Sequence, residues 1–247
     1  MTLPGLVLVH GGEHAADCWE LTVAELRRQE PELRTLAVDL PGRGARPGDL
    51  ATATIDEWVD SVVADIEDAD LGDIVIVGHS MAGVTVPGVV AKLGAARVRE
   101  MILAAAFVPP QGKTIFDTLG GPLAWFARRG AKDGKPMKVP QFAARYAFCN
   151  GMTAQQREFA MSRLYDEASV IGVEPVDRSA LPDDVPRTWI LTTRDRALSQ
   201  KSQQASIAAL GGVNEVIPVD ACHDVMISHP EQLARILIER CQLRGEG

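Results

Sequence analysis

The stretch Gly78-His79-Ser80-Met81-Ala82-Gly83 decides how this chain folds. Ile74-Val75-Ile76-Val77 runs straight into it, and Val84 to Leu93 follows as an apolar helical segment. A short, wholly apolar run bounded by turn residues reads as a strand buried on both faces. The order is therefore strand, tight turn, helix, with a serine at the apex. Small residues at 78, 82 and 83 let the backbone reverse and bring the helix close to the strand. Such a turn is strained and projects Ser80 Oγ clear of the sheet, where a substrate can reach it. The pattern departs from G-x-S-x-G at its last position, Ala82, which is still small enough for the turn. The competing reading is an ordinary strand-to-helix turn with a capping serine. The apolar strand before and the apolar helix after favour a nucleophile.

The same rhythm extends outward in both directions. Leu6 to Val9 and Leu33 to Val38 read as strands, and Trp19 to Gln29 as a helix between them. Ile55, Val59, Val62, Val63 and Ile66 recur at helical spacing, with Thr54 placed to cap. After the elbow come a strand at Met101 to Ala105, then Thr188 to Thr192 (strand), Ser199 to Leu210 (helix), Glu215 to Val219 (strand) and Glu231 to Arg240 (helix). Apolar strands alternating with helices predict an α/β fold with a six-stranded, mostly parallel sheet covered by helices on both faces.

Residues 107–186 break the rhythm. They are rich in Pro, Gly and charge and carry Trp125, Phe126, Phe142, Tyr146, Phe148, Phe159 and Tyr165. The segment is far longer than an ordinary connection in such folds. It is expected to be a helical lid over the carboxyl edge of the sheet, so that 1–106 and 187–247 make the core and 107–186 the insertion. Most of its aromatics are expected to pack within the lid itself, and some to line a pocket; Trp125, Phe126, Tyr146 and Phe148 are the candidates, with Gly11 and Met226 from the core.

A serine hydroxyl needs a base, and the base needs an acid to hold its tautomer. In sheets of this type the order is Ser, Asp/Glu, His, on loops at the carboxyl ends of later strands. His223 follows the strand Glu215 to Val219 and is the candidate base. Asp195 follows the strand Thr188 to Thr192 and is the candidate acid. Asp220 and Asp224 compete for that role, but they flank the base too closely to reach its far nitrogen easily. His79 is expected to pack inside, His10 to order its own loop, His14 to support the site from behind, and His229 to serve at a helix start. The oxyanion needs two backbone N–H donors, each worth about 3–4 kcal/mol. Met81, next after the serine at a helix N-terminus, supplies one. Gly12, in His10-Gly11-Gly12-Glu13 after the first strand, supplies the other.

Composition bounds the rest. The 247 residues are 46% hydrophobic and 23% charged, enough for one sizeable core. A net charge of −8 argues against nucleic acid as a partner. No apolar run reaches the ~18 residues of a membrane span. A signal peptide is not expected, and Cys18, Cys149, Cys222 and Cys241 show neither C-x-x-C spacing nor a disulfide framework, so a cytoplasmic location is expected. No His/Asp/Cys cluster has ligand spacing, so neither metal nor cofactor is expected. The oligomeric state is left open, a homodimer being one option.

These motifs resemble the α/β-hydrolase superfamily, and more narrowly its branch of plant methylesterases, hydroxynitrile lyases and bacterial esterase relatives. The resemblance rests on Leu8-Val9-His10-Gly11-Gly12, Asp39-Leu40-Pro41-Gly42-Arg43-Gly44, the Gly78 to Gly83 elbow, Phe107-Val108-Pro109-Pro110, Thr193 to Leu198, and His223 with Met226 and Pro230 to Leu233. It implies that Ser80, Asp195 and His223 form the triad and that Gly12 and Met81 form the oxyanion hole. The lyases of that branch carry a lysine after the catalytic histidine; here the position is Asp224, which should repel cyanide. A serine nucleophile also separates the chain from relatives that use aspartate. The expectation is a serine hydrolase acting on a small carboxylic ester. Lactonase, thioesterase, amidase, lyase and non-catalytic receptor are the alternatives.

Overall fold

The computed structural model describes residues 3–118, 131 and 134–245. Six strands, β1 (Gly5–Val9), β2 (Thr35–Val38), β3 (Ile74–His79), β4 (Val98–Ala104), β5 (Arg187–Thr192) and β6 (Glu215–Val219), form one sheet. Their order is β2-β1-β3-β4-β5-β6, and every pairing is parallel. The chain leaves β1 to one side for β2 and returns on the other side as β3. The carboxyl ends of β1 and β3 thus flank the switch point of the sheet, where ligands bind in open α/β folds. Val9 pairs in register with Gly78, so the His10–Glu13 loop and the serine turn emerge side by side.

Strand periodicity divides the core. Val7, Val9, Ile74, Ile76, Met101 and Leu103 face one layer, with Trp58, Val59, Val62 and Ile66 of α2 (Ile55–Asp68) and Val86, Val89 and Val90 of α3 (Val86–Leu93). Leu6, Leu8, Val75, Val77, Ile102 and Ile190 face the other, with Leu26 of α1 (Glu20–Gln29) and Leu233, Leu237 and Cys241 of the C-terminal helix (Pro230–Gly245). Alternate side chains of a strand point to opposite faces, so unbroken apolar runs mark strands buried twice. Thr54 caps α2 as expected, its hydroxyl accepting from Glu57 N at 3.1 Å. β6 is the sheet's edge and is largely exposed, which is where Pro218, lacking an N–H, costs no ladder bond. The helix expected at 84–93 starts two residues later than expected. A 3-10 turn occupies Ser80–Gly83, and α3 begins at Val86 with Pro87 in its first turn.

Between β4 and β5 the described residues include α4 (Ile115–Thr118), α5 (Gln141–Phe148), α6 (Ala154–Ser162) and a 3-10 turn at Ser169–Val173. A reciprocal Thr153–Gln156 capping box starts α6. Gln156 Nε2 also donates to the carbonyls of Ile227 and Ser228 at 3.0 and 3.1 Å, which fastens α6 to α8 (Val225–Ser228), while α7 (Gln200–Ala209) links β5 to β6. Tyr165 reaches the loop after β1, its N–H donating to Glu13 O at 2.8 Å and its hydroxyl to Asp17 at 2.9 Å. Among the described residues no helix is long and apolar enough to cross a membrane. All four cysteines are buried and free.

Candidate active site

Ser80 directly follows β3 with φ +51°, a left-handed conformation that side chains avoid unless their surroundings impose it. Its surroundings do so. A Cβ at Gly78 would lie 2.8 Å from Val86 Cγ2, and one at Gly83 would lie 2.2 Å from the Phe107 carbonyl oxygen. The helix therefore packs against the strand at a distance only glycine permits. Ser80 O accepts from Phe107 N at 2.8 Å, which ties the turn to the segment that follows β4.

The three residues named from sequence meet in a hydrogen-bonded line. His223 Nδ1 donates to Asp195 Oδ2 at 2.7 Å, and Ser80 Oγ donates to His223 Nε2 at 2.9 Å. A carboxylate only accepts, so the neutral imidazole carries its proton on Nδ1 and leaves Nε2 free to take one. Asp195 is itself held in place. Ala197 N and Leu198 N donate to Oδ1 at 2.8 and 2.7 Å, and Thr192 Oγ1 donates to Oδ2 at 2.9 Å. Burial alone would raise the Asp195 pKa, but His223 beside it and these donors hold it below the usual carboxylate value. For His223, burial works downward and the Asp195 carboxylate works upward, with a net shift above the ordinary histidine value. Asp220 lies off this line, paired with exposed Arg194 at 2.9 Å.

The other histidines settle into supporting places. His79 is buried and neutral, its pKa held at about 3 by burial, and Nε2 donates to the His223 carbonyl at 3.0 Å. His10, likewise held at about 3 by burial, donates from Nδ1 to Gly11 O at 2.9 Å and accepts Leu40 N at 3.2 Å. Gly12 and Met81 both line the cavity that contains Ser80 and His223, and Met81 sits in the first turn of the 3-10 segment, where N–H groups lack intrahelical partners.

That cavity has a volume of about 270 Å³. Its walls are chiefly apolar: Met81, Phe107, Ile115, Phe116, Met137, Val139 and Phe148. Phe148 also stacks on His223, ring centres 5.5 Å apart. Three residues expected from sequence to line the pocket are placed outside its wall. Tyr146 is 64% exposed, with the Arg196 guanidinium over its ring at 4.8 Å. It sits two residues from Phe148, about 200° away around α5, so the two cannot share a face. Met226 is fully buried with Val225 and Ile227 in the core layer and is not part of the cavity wall. Gly11 packs beneath the serine, where a Cβ would meet Ser80 Cβ at 2.7 Å. Trp125 and Phe126 lie outside the described residues.

A model of the alpha/beta hydrolase family matches residues 6–236. This chain belongs to that family. The hydrolase is 25% identical to esterase PIR7B of Oryza sativa subsp. japonica, over 94% of each chain. It is 30% identical to a carbendazim hydrolyzing esterase of Nocardioides sp. (strain SG-4G), over 47% of this chain and 48% of the relative. An extracellular alpha/beta-hydrolase from a Paenibacillus species matches its fold with a TM-score of 0.84 at 22% identity, covering 96% of this chain and 98% of that one.

Sequence reasoning expected His14 to support the site from behind, but did not pair it with Asp224 and did not find Glu167. Asp224 is wholly buried and faces His14, whose Nε2 lies 3.4 Å from Asp224 Oδ2. Burial opposes both charges, yet mutual attraction prevails: the Asp224 pKa is lowered and the His14 pKa raised. Glu167, between β4 and β5, lies against the loop after β1 and pairs with buried Arg43. Only proximity in sequence to His223 pointed to Asp224, and nothing local pointed to Glu167. Folding also brings ligand atoms of His79, His223 and Asp224 within 4.8 Å of one another, a grouping absent from sequence spacing. Both His223 nitrogens and His79 Nε2 are already engaged in hydrogen bonds, so the group is a support for His223 rather than an open ligand set.

Proposed function

We propose that this protein is a serine hydrolase that cleaves small, largely apolar carboxylic esters without a cofactor. The observation that carries the reading is the line Asp195–His223–Ser80 opening into an apolar cavity that also reaches Gly12 and Met81. In it Ser80 Oγ attacks the ester carbonyl while its proton passes to His223 Nε2. Asp195 holds the imidazole and stabilises the imidazolium. The carbonyl oxygen, now negative, takes hydrogen bonds from the Gly12 and Met81 N–H groups. Collapse expels the alcohol, which receives the proton from His223. Water deprotonated by His223 then attacks the acyl-enzyme and frees the acid and Ser80.

The curated relatives named as esterases support carboxylic esters as the substrate class. The cavity of about 270 Å³ supports a small acyl or alcohol group. Residues 107–186 serve as the lid that closes it, contributing Phe116, Met137 and Phe148 to its wall. A lyase on the same triad is disfavoured by Asp224, which places a carboxylate, not a cation, beside His223.

The test is hydrolysis of p-nitrophenyl acetate and butyrate by wild type and Ser80→Ala. Turnover by wild type alone supports the reading. A tight-binding ligand with no turnover of any ester, lactone or thioester would replace it with a receptor function.

A further inference from the structure

The peptide joining Gly12 to Glu13 is gripped from both sides by groups the triad does not use. Its carbonyl accepts from His14 Nδ1 at 2.7 Å. Its N–H donates to Glu167 Oε2 at 2.7 Å. Each grip is backed in turn. Behind His14 stands Asp224, whose Oδ2 lies 3.4 Å from His14 Nε2, so a carboxylate charge backs the ring on its far side. Glu167 Oε1 accepts from Ala168 N at 2.6 Å and from Arg43 Nη2, and the Arg43 guanidinium lies 5.6 Å from the Trp58 ring centre. The Glu167 backbone forms a two-way bridge with Met137, with N···O distances of 2.7 and 2.9 Å.

The neighbouring peptide is held as well: Gly11 O accepts from His10 Nδ1 at 2.9 Å and from His14 N at 3.4 Å. Among the described residues, the Gly12 N–H has no acceptor within the protein. It is the group the proposed mechanism needs unspent. The fit leaves no slack, because a Cβ at Gly12 would stand 2.9 Å from Glu167 Oε2. Glu13 is held at φ +57°, a conformation that persists only where the surroundings impose it.

A Gly-Gly loop has the freest backbone a chain can offer. An oxyanion donor works only when it is aimed in advance. From these two facts and the grip just described, we infer that Glu167 and His14 are positioning residues that aim the Gly12 N–H at the oxyanion, and that Glu167 makes this aim depend on the segment between β4 and β5. The inference rests on the serine-hydrolase reading. A carboxylate suits the role because charge-assisted bonds to N–H groups are shorter and stiffer than neutral ones. Arg43 and the Ala168 N–H keep that carboxylate in place.

The experiment follows phosphorylation of Ser80 by paraoxon, beside p-nitrophenyl butyrate kinetics. In the first reaction the Ser80 Oγ–P bond forms, the P–O bond to p-nitrophenolate breaks, and the serine proton passes to His223. It loads the oxyanion hole without a carboxylic ester substrate. The variants are Glu167→Ala, Arg43→Met/Glu167→Met and His14→Ala. The double variant removes the ion pair while keeping its volume, so a folded protein remains even if Glu167→Ala strands Arg43 and unfolds. Glu167→Ala and the double variant should each slow phosphorylation and kcat by about tenfold or more, with KM changed less than about threefold. Adding His14→Ala should cost less than the product of the separate losses, since both grips act on one peptide.

A folded double variant that reacts at the wild-type rate, or one whose loss lies in KM alone, overturns the inference. A wild type that neither hydrolyses esters nor takes the phosphoryl group overturns the serine-hydrolase reading and this inference with it. A reactive wild type with indifferent variants overturns the inference only.

Discussion

Asp195 and Asp224 are both buried carboxylates facing histidines within a few residues' reach of Ser80, and the protein treats them differently. Asp195 accepts four hydrogen bonds, from His223 Nδ1, Thr192 Oγ1 and the N–H groups of Ala197 and Leu198. Among the described residues the oxygens of Asp224 accept none, and Oδ2 faces His14 Nε2 at 3.4 Å. One carboxylate is fixed in direction, so it can hold a ring in one tautomer. The other acts mainly through its charge, which reaches His14, His79 and His223 alike. Two buried carboxylates near one histidine thus have separate physical roles, decided by how many donors surround each.

The largest effect expected of this arrangement is at the nucleophile. Ser80→Ala should lower kcat for p-nitrophenyl butyrate by about 10⁴-fold or more, and Ser80→Ala/His223→Ala should lose nothing further, because the triad acts as a unit. Residual turnover near wild type in either variant would mean another group attacks.

Next comes the contrast between the aspartates. Asp195→Asn should cost about 10³- to 10⁴-fold in kcat, since an amide can present N–H to His223 Nδ1 and reverse its tautomer. Asp224→Asn should cost less than about tenfold, because the charge acts at a distance and no tautomer depends on it. Equal losses in kcat would erase the distinction drawn here.

pH profiles sharpen it further. His223 must be neutral to accept the serine proton, and its pKa lies above the ordinary histidine value, with Asp195 the chief upward influence and Asp224 a further one. The acid limb of kcat/KM should therefore fall above the usual histidine range of about 6.5. Removing the Asp224 charge takes away one upward influence, so Asp224→Asn should shift that limb to lower pH. A limb that stays in place would show that Asp224 does not act on His223 by charge.

The smallest effect is on stability. The folded-state pKa of His14 is raised, so the His14–Asp224 pair contributes fully below the unfolded histidine value and its contribution fades as pH rises through the folded value. The stability advantage of wild type over Asp224→Asn, read as a shift in urea midpoint, should be larger at pH 6 than at pH 9. An advantage that grows with pH would reverse the assigned charge of His14.

Much of the fold was legible in the chain because its signals are local. Apolar runs such as Ile74 to Val77 can only be strands buried on both faces, and the small residues around Ser80 permit only a tight turn. Asp195 and His223 were legible because acceptors and bases in such sheets stand at strand ends, and both follow apolar runs by a few residues. Pocket lining was not legible to the same degree. Tyr146 and Phe148 are equally aromatic and two positions apart, but only α5's rotation decides which one meets His223. Met226 looked like a pocket residue by its place after His223, yet α8 turns it into the core.

The sequence alone determined the order of strands and helices, the serine turn, and the positions from which an acid and a base can reach it, because period, apolarity and small residues act over a few neighbours. Only the tertiary structure decided how Arg43 and Glu167, 124 residues apart, meet beside the Gly12–Glu13 peptide, and that His14 faces Asp224. Those encounters are buried polar contacts between distant segments. Their cost and benefit exist only once water has been excluded and the sheet has set the loops side by side.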